Sequence, residues 1–454
     1  MKIKIIIFYA ISILFFGLLG CQNHATDKTQ IITNNSITKA QIKLKWLGHW
    51  FGEGKKETLL REVARDFCLL NQNIEIDLEF PYQMANIKPT DATYLYTIDT
   101  IIKMVRQNKW PYDLMLCDAF LYSAVADSLN NPNWGKDYLV NFIDQPWLKA
   151  SHKNMFFETN KHTDNYGAIA PGAYIEGVWN LLYVSSEIEN RLGIKVKTLD
   201  MNLSDFITYA KAVYQYNQNH IDKITFFSTP HEHGTRPFFN QIVMSALEKD
   251  SANNRQEAIN ALRQAYLAIE KLAPYKPLES NLVYDNERTL YHDKILFISY
   301  PSWINLLWQK SNPTGAKLMH PCEFPSIENK KASFYSGLYS AIFVVPKNAK
   351  NRKEAELFMQ FISSQETAEK WIRYSKCPTG LKSQISYSDF GTDEYTLFSQ
   401  HISRKYQDKL DEVNLATLLF HSNKSIDFQV AKVMNGQITG DEAIKNILKQ
   451  IGIK

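Results

Sequence analysis

The sequence predicts an α/β fold, and two observations carry this prediction. Short apolar strand patterns alternate with longer helical patterns in the first part of the chain, an order typical of a mostly parallel sheet covered by helices. Strand-like segments then return near residues 295 and 340, after a long helical region. The chain therefore comes back late in its sequence to a part of the fold built early, which favours two lobes with several crossings between them.

The alternation is clearest near the start of this region. Residues 42–47 form a short apolar strand pattern, and residues 48–54 form a turn rich in glycine. A helix is predicted over residues 55–70, where Leu59, Val63 and Phe67 recur at helical spacing. Further elements are a strand at 74–80, a helix at 92–108 and a strand at 113–117.

The rest of the chain continues the mixed pattern. Predicted elements are a strand at 167–170, a mainly helical region at 204–272, a strand at 295–300 interrupted by Pro301, a strand at 340–345 ending at Pro346, and a helix at 352–374. Asn351 and Glu354 have the spacing of a capping-box variant, which predicts the start of that last helix.

The first residues predict export and lipid attachment. Lys2 and Lys4 precede an apolar stretch that ends in Leu-Leu-Gly before Cys21, a pattern typical of a secretory signal. This stretch is shorter than the roughly 20 residues that span a bilayer. Leu-Leu-Gly-Cys resembles a bacterial lipobox, which implies a diacylglycerated thiol at Cys21. Residues 1–20 are then a lipoprotein signal peptide and residues 21–40, which are polar, a flexible stalk.

Charge and cysteine content narrow the class of protein. The 454 residues carry a formal charge of +4, which falls to +2 when the signal is removed. Neither charge is high enough to indicate a nucleic-acid-binding protein.

Cys68 and Cys117 lie in apolar patterns and are interpreted as buried thiols. A bridge between Cys322 and Cys377 is left open, because sequence alone does not establish disulfide pairing.

A series of short motifs occurs in a fixed order along the chain. They are Tyr183 to Glu187 followed by Gly193 and Ile194, then Lys294 and Trp303, then Ser336 to Asn348 continuing into Glu354, Ala355, Phe358 and Phe361, and finally Gly436 with Glu442 and Ala443. In this order they resemble the family 1 extracellular solute-binding proteins, the group that includes maltose-binding proteins. The likeness extends from about residue 42 to residue 445.

The resemblance implies a two-lobed periplasmic-binding-protein fold of the type II kind, with two mixed sheets flanked by helices and a hinge of crossing strands. We expect residues 41–168 and 302–348 in the first lobe, and residues 169–301 and 349–454 in the second. The ligand is expected in the cleft between the lobes, since ligands bind outside the carboxyl ends of parallel strands.

A sugar presents an apolar C–H face and a rim of hydroxyls, so its site needs aromatic rings together with polar groups. Residues of these types follow the predicted strands and crossings. The candidate ligand-binding residues are His49, Trp50, Tyr82, Asp118, Tyr174, Glu176, Trp303, Tyr335 and Gly337. Core packing is the alternative for Trp50 and Trp303, and helix capping is the alternative for Asp118 and Glu176. Trp179, Trp308 and Trp371 are predicted to be core residues.

The sequence offers little for catalysis or for binding a metal or cofactor. His231, Glu232 and His233 form a histidine-rich segment, but it provides two ligands on one face and no third nearby. The sequence has no Gly-x-Ser-x-Gly, His-Glu-x-x-His or phosphate-loop motif. We therefore predict a binding protein that has no cofactor or metal and is not an enzyme.

The predicted function is that of an extracytoplasmic, lipid-anchored solute-binding protein. We expect a monomer that captures a sugar or oligosaccharide and delivers it to the transmembrane subunits of an ABC permease. A surface glycan-processing enzyme and a sensory binding lipoprotein remain alternatives. The sequence leaves open the identity of the ligand, whether the cleft is open or closed, and sorting to an inner or an outer membrane.

Overall fold

We describe the protein from a computed structural model. The structure describes residues 42–81, 92–153, 165–229, 235–247, 255–278, 292–328, 332, 335–406, 410–411, 427–450 and 452. All of them belong to one compact unit, Ala40–Lys454. The strands are β1 (Ile42–Leu47), β2 (Ile74–Glu79), β3 (Leu114–Leu116), β4 (Glu176–Ser185), β5 (Thr225–Ser228), β6 (Ile295–Pro301), β7 (Met319–Cys322), β8 (Tyr335–Ser340), β9 (Phe343–Val344) and β10 (Leu410–Asp411).

The helices surround these strands. They are α1 (Lys55–Leu70), α2 (Ala92–Gln107), α3 (Ala119–Leu129), α4 (Trp134–Tyr138), α5 (Pro146–Ser151), α6 (Ser186–Leu192), α7 (Leu203–Asn219), α8 (Thr235–Ala246), α9 (Arg255–Glu270), α10 (Ile304–Ser311), α11 (Pro313–Ala316), α12 (Arg352–Ile362), α13 (Gln365–Ser375), α14 (Glu394–Tyr406), α15 (Val430–Met434) and α16 (Gly440–Gln450), with short 3₁₀ turns at Ala273–Tyr275 and Tyr387–Phe390. Among the described residues, no helix combines the length and apolar character needed to cross a membrane.

The strands form two mixed sheets. In the first, the order is β2-β1-β3-β9; β1 runs parallel to β2 and β3, and β9 is antiparallel to β3. In the second, the order is β10-β8-β4-β6-β5, and β7 also pairs with β4. The long strand β4 is antiparallel to β6, β7 and β8, so it forms the centre of the second sheet.

The two sheets meet where β4 begins. Glu176, the first residue of β4, pairs with Ser340, the last residue of β8. Three residues later the chain enters β9 in the first sheet, and the Cys117 amide donates to the Ile342 carbonyl at 2.9 Å. Residues 340–343 are therefore a crossing between the sheets, and Glu176 lies at this crossing.

The helices that pack on each sheet define the lobes. The first lobe consists of the four-stranded sheet with α1, α12 and α13, because Phe358 of α12 lies 5.1 Å from Trp46 of β1 and 4.8 Å from Phe67 of α1, between ring centroids. The second lobe is built on the six-stranded sheet. This assignment differs from the predicted division, since β7 and β8 pair with β4, whereas α12 and α13 pack on the first lobe.

Three of the predicted elements differ from the structure. Residues 167–170 are not a strand, because Gly167 and Ala168 have φ of 63° and 62°, in the left-handed region that extended chains avoid. The predicted strand 340–345 is divided, since β8 ends at Ser340 before β9 starts in the other sheet. The predicted helix 352–374 is also divided, because Ser364 begins α13 by accepting a hydrogen bond from the Thr367 amide.

The predicted capping box at the start of α12 is wrong. Asn351 makes no side-chain cap. Its side-chain amide donates instead to the Lys43 carbonyl and to Asp113 Oδ2, both at 3.0 Å, while its backbone amide donates to Asp113 Oδ1 at 2.7 Å. Asn351 therefore joins α12 to the beginning of β1, a tertiary contact that the local pattern could not show.

Buried hydrogen bonds hold the crossing in place. The Tyr166 hydroxyl donates to the Ala341 carbonyl at 2.7 Å and lies 3.0 Å from Ser340 Oγ. His152 Nε2 accepts from the Tyr174 amide at 3.1 Å, and its Nδ1 lies 2.9 Å from the Leu148 carbonyl. Burial lowers the pKa of His152 to about 4, so this imidazole is neutral at pH 7. A neutral imidazole has one N–H donor and one acceptor nitrogen, which matches Nδ1 donating to the Leu148 carbonyl and Nε2 accepting from the Tyr174 amide.

Replacing Tyr166 with phenylalanine tests this support. The substitution leaves the buried Ala341 carbonyl without its donor, so we expect the free energy of unfolding to fall by about 1 to 2 kcal/mol in denaturant titrations. Tyr138→Phe, at a half-buried position in α4, is the control and should change stability by less than about 0.5 kcal/mol. Equal effects of the two substitutions would contradict the role given to Tyr166.

Each of the four described cysteines is a free thiol. Cys322 lies in β7 and Cys377 follows α13, and they form no disulfide with each other. Cys117 is buried and Cys68 is half-buried. The interpretation of Cys117 as a buried thiol is confirmed, and the question left open by sequence for Cys322 and Cys377 is answered by the structure.

Candidate functional site

The turn after β1 has an unusual backbone. Trp50 has φ of 63°, and Gly52 and Gly54 have φ of 74° and 60°. A bulky side chain in this region costs on the order of 1 to 3 kcal/mol, and such strain is concentrated at functional sites. The turn directs the Trp50 ring into the protein, where it lies 5.2 Å from Trp371 and 6.2 Å from Phe343 between ring centroids and is 2% exposed.

A buried lysine lies directly beneath this turn. Lys56 is 2% exposed, and its Nζ lies 3.1 Å from Glu53 Oε2 and 5.7 Å from the centre of the Trp50 ring. Burial alone would lower the pKa of Lys56, but Glu53 and Glu176 outweigh this effect and raise it. Lys56 is therefore a fixed positive charge at the carboxyl end of β1.

Glu176 faces Lys56 from the start of β4. The Trp50 side chain is among the groups close enough to affect the pKa of the Glu176 carboxyl. Burial raises the pKa of Glu176 to about 7; Asp118 and Glu53 raise it further, and Lys56 opposes the rise. Near neutral pH this carboxyl therefore exists in both protonation states, and it can donate as well as accept a hydrogen bond.

His49 and Asp118 complete the group from the ends of β1 and β3. His49 is half-buried, and burial lowers its pKa although Glu53 and Asp118 act in the opposite direction. Asp118 Oδ1 accepts from the Leu121 amide at 2.8 Å, so it caps α3 and also contributes charge to the group. We call these six residues the β1–β4 cluster: His49, Trp50, Glu53, Lys56, Asp118 and Glu176.

Trp303 lies beside contacts that connect the start of α10 to the segment after α13. It is half-buried at the start of α10, and its ring meets Tyr300 edge-on at 5.3 Å between centroids. The preceding residue, Ser302, has its Oγ 3.2 Å from Cys377 Sγ. Lys56 and Glu176 both influence the pKa of Cys377, which burial raises. Ser302 and Cys377 thus connect the segment of Trp303 with the β1–β4 cluster.

The other predicted site residues lie elsewhere or outside the described residues. Tyr174 is buried against His152 and Tyr166. Tyr335 is buried at the far end of β8 from the crossing and packs against Phe324 and Tyr406, while Gly337 pairs with Trp179 within the sheet. Tyr82 lies outside the described residues, as do Cys21 and the segment 231–233.

The residues predicted to be core residues are buried. Trp179, Trp308 and Trp371 are at most 1% exposed, which confirms that prediction. Trp371 additionally packs against Trp50, with the ring planes tilted by 39°, and so forms the inner wall of the β1–β4 cluster.

Sequence reasoning missed Glu53 and Lys56, although a signal was present. Lys56 precedes Leu59 by three residues and Leu60 by four, so it lies on the same face of α1 as these two leucines. This face is apolar and buried. A lysine at such a position must find an anionic partner inside the protein. Glu53 is three residues away and provides it.

A group of possible metal ligands lies in the second lobe. Asp200, Glu323 and His401 place ligand atoms within 4.8 Å of one another. The Lys405 ammonium lies between the two acids, 2.6 Å from Asp200 Oδ1 and 2.8 Å from Glu323 Oε1. Lysine thus supplies the cation that neutralises this group, and the arrangement joins α14 to the end of β7.

No protein-family model matches the chain, and no curated protein matches it by sequence. Solved structures are similar in fold. Maltose-bound MalE3 from T. maritima is 13% identical, with 90% of this chain and 99% of that chain covered and a TM-score of 0.58. Apo RafE from Streptococcus pneumoniae is 13% identical, with coverage of 91% and 99% and a TM-score of 0.57.

A third similar structure is the GacH receptor of Streptomyces glaucescens, solved unliganded and with acarbose. It is 11% identical, with 92% of this chain and 100% of that chain covered and a TM-score of 0.56. These similarities confirm the predicted architecture: two lobes of the periplasmic-binding-protein kind, each a mixed sheet flanked by helices. Identities this low establish the fold alone.

Proposed function

We propose that this protein is an extracytoplasmic solute-binding lipoprotein that captures a sugar or oligosaccharide at the β1–β4 cluster. The observation that carries the proposal is the gathering of Glu53, Lys56 and Glu176 around Trp50 at the crossing between the sheets. In this fold class, ligands bind outside the carboxyl ends of parallel strands, and β1 and β3 both end at this group.

The chemistry of the cluster suits hydroxyl groups. A sugar hydroxyl both donates and accepts, and a carboxyl with a pKa of about 7 can do the same near neutral pH. Half-buried His49 and Glu53 supply further polar atoms at the margin of the cluster. Trp303 is the proposed platform for the apolar face of the ring, because it remains half-buried while Trp50 is fully covered.

The fold supports the choice of a carbohydrate ligand. The similar structures include a maltose complex, an acarbose complex and a sugar transporter from Bacillus licheniformis bound to stachyose. We carry over the ligand class, a sugar or oligosaccharide, and not any one of these compounds. Four candidates from the sequence stay predictions: Tyr82, Tyr174, Tyr335 and Gly337. Of these, Tyr174 and Tyr335 are buried, and Gly337 pairs with Trp179 inside the second sheet.

The proposal includes the membrane context. We propose that Cys21 is acylated, that the mature chain lies outside the cytoplasm, and that it delivers its ligand to the transmembrane subunits of an ABC importer. Capture and delivery follow from the two-lobed fold, since closing the lobes around a ligand changes the surface presented to a partner. The protein acts as a monomer and catalyses no reaction in this proposal.

A panel of mono- and oligosaccharides tests ligand capture by thermal unfolding. A binding sugar at about 100 times its Kd should stabilise the protein by about 2.7 kcal/mol and raise Tm. Trp303→Ala should abolish the shift, whereas Tyr214→Ala, a change at an exposed ring of α7, should preserve it. If no sugar raises Tm, the proposed ligand class fails.

Two further assays separate the alternatives. Release of reducing sugar from polysaccharide by the purified protein would establish the glycan-processing enzyme in place of the binding protein. Loss of radiolabelled sugar uptake in cells lacking the protein supports delivery to a permease. Uptake that is unchanged, while sugar-induced gene expression is lost, establishes the sensory alternative.

A further inference from the structure

The end of the first lobe opposite the β1–β4 cluster has two leucines that project into solvent. Leu69 and Leu70, at the end of α1, are 68% and 74% exposed. The following turn fixes their position, because the Ile74 amide donates to the Asn71 carbonyl and the Ile42 amide to the Asn73 carbonyl. Leu69 and Leu70 therefore lie beside the beginning of β1.

A basic segment lies on the other side of the same strand end. Asn351 donates to the Lys43 carbonyl, and Asn348 donates to Asn108 Oδ1 at 2.9 Å, so the loop before α12 is held against the start of β1. Its exposed cations are Lys347, Lys350, Arg352 and Lys353.

Two acids follow this segment in α12. Glu356 pairs with Arg352 at 2.6 Å, and Glu354 is half-buried. Residues 347–356 therefore contain four cationic and two anionic side chains and carry a net positive charge. These cations lie before and within the first turn of α12, where the helix dipole disfavours positive charge. An anionic surface facing them would relieve that repulsion.

The position of Cys21 in the sequence indicates that this anionic surface is a membrane. Ile42 begins β1 at this end, and Cys21 precedes it by 21 residues. A polar linker of this length spans roughly 25 Å when it behaves as a coil, so an acyl chain on Cys21 would hold this end near the bilayer. Exposed leucines and exposed basic residues at the same end of a lobe are the chemistry that binds an anionic membrane interface.

We propose that Leu69, Leu70, Lys347, Lys350, Arg352 and Lys353 form a base surface that rests on the anionic lipids of the membrane to which the protein is anchored. The proposal rests on the lipid attachment of the proposed function.

The test uses the mature protein, purified from cell membranes and reconstituted in lipid vesicles. An environment-sensitive fluorophore is placed at the base by Leu70→Cys, and at a control site by Ile221→Cys, where the native side chain is 98% exposed in the second lobe. On vesicles containing phosphatidylglycerol we expect a blue shift at position 70 and none at position 221. On pure phosphatidylcholine vesicles the shift should be small.

Charge reversal completes the test. The combined change Lys347→Glu, Lys350→Glu, Arg352→Glu and Lys353→Glu should remove the blue shift, as should high salt. The matched control changes four exposed lysines of the second lobe, Lys211, Lys432, Lys445 and Lys449, to glutamate and should retain it. Absence of a shift at position 70 on anionic vesicles, or an equal shift at position 221, overturns the proposal.

Sugar binding is measured on the same vesicles. If the sugar still binds while position 70 shows no shift, the base surface fails and the proposed function stands. If position 70 shifts as expected while no sugar binds, the base surface stands and the ligand proposal fails.

Discussion

Replacing Lys56 with methionine is expected to lower the free energy of unfolding by about 2 to 3 kcal/mol, less than the cost of breaking a fully buried ion pair, because its partner Glu53 is 33% exposed. Methionine is similar in length and fills the same space under Trp50. It supplies no charge, so Glu53 loses the cation 3.1 Å from its Oε2 and Glu176 loses the positive charge that opposes the rise of its pKa. Urea titration near neutral pH measures the loss.

Lys55→Met is the matched control for this experiment. Lys55 is the neighbouring residue in α1, but its side chain is exposed and its Nζ lies 5.4 Å above the Tyr374 ring. Its removal should cost less than about 1 kcal/mol. Adding Glu53→Gln to Lys56→Met should restore part of the lost stability, because the carboxylate that Lys56 neutralises at 3.1 Å is then gone. A loss in Lys56→Met no larger than that in Lys55→Met would contradict the buried pair.

Stability should also depend on the protonation of Glu176. Its pKa rises from 4.5 to about 7 on folding, mainly through burial. The native state therefore holds a proton that the unfolded chain has released, so the contribution of this group is complete below pH 4.5 and is lost as the pH rises through about 7. At about 1.36 kcal/mol per pH unit, we expect about 2 to 3 kcal/mol of stability to be lost between about pH 5 and about pH 8.

The comparison of wild type with Glu176→Gln isolates this effect. The variant should lack that part of the pH dependence, whereas Glu75→Gln, at an exposed position of β2, should keep the wild-type profile. The low pKa of His152 acts in the opposite sense, since its contribution is lost as pH falls from 6.5 towards about 4. That contribution is present in all three proteins and cancels. Identical profiles for wild type and Glu176→Gln would show that Glu176 is ionised throughout.

The local elements of the first lobe could be predicted because their patterns are self-contained. Strand β1 and helix α1 have the predicted bounds, and Leu59, Val63 and Phe67 are all buried on one face of α1. Strand β4 was not predicted as a strand, although ten consecutive residues form it. It is buried on both faces at the centre of a sheet, so the alternation that identifies a half-buried strand is missing.

The crossing and the site could be predicted only in part. His49, Trp50 and Asp118 are candidates because each follows a predicted strand, and Glu176 is one because it follows the first predicted crossing; the structure brings these four together. Whether a ring is open to a ligand depends on tertiary packing, and Trp50 is covered by Trp371, which is distant in sequence. The sheet change at Ser340 also depends on partners, since β8 pairs with β4 and β9 pairs with β3.

The most direct test of the central claim is a crystal structure of the protein purified from its own cells, with the ligand that it retains. We predict a carbohydrate between the lobes, with a hydroxyl hydrogen-bonded to Glu176 and a sugar ring against Trp303. A non-carbohydrate ligand at the β1–β4 cluster, or a carbohydrate bound away from it, would contradict the proposed function.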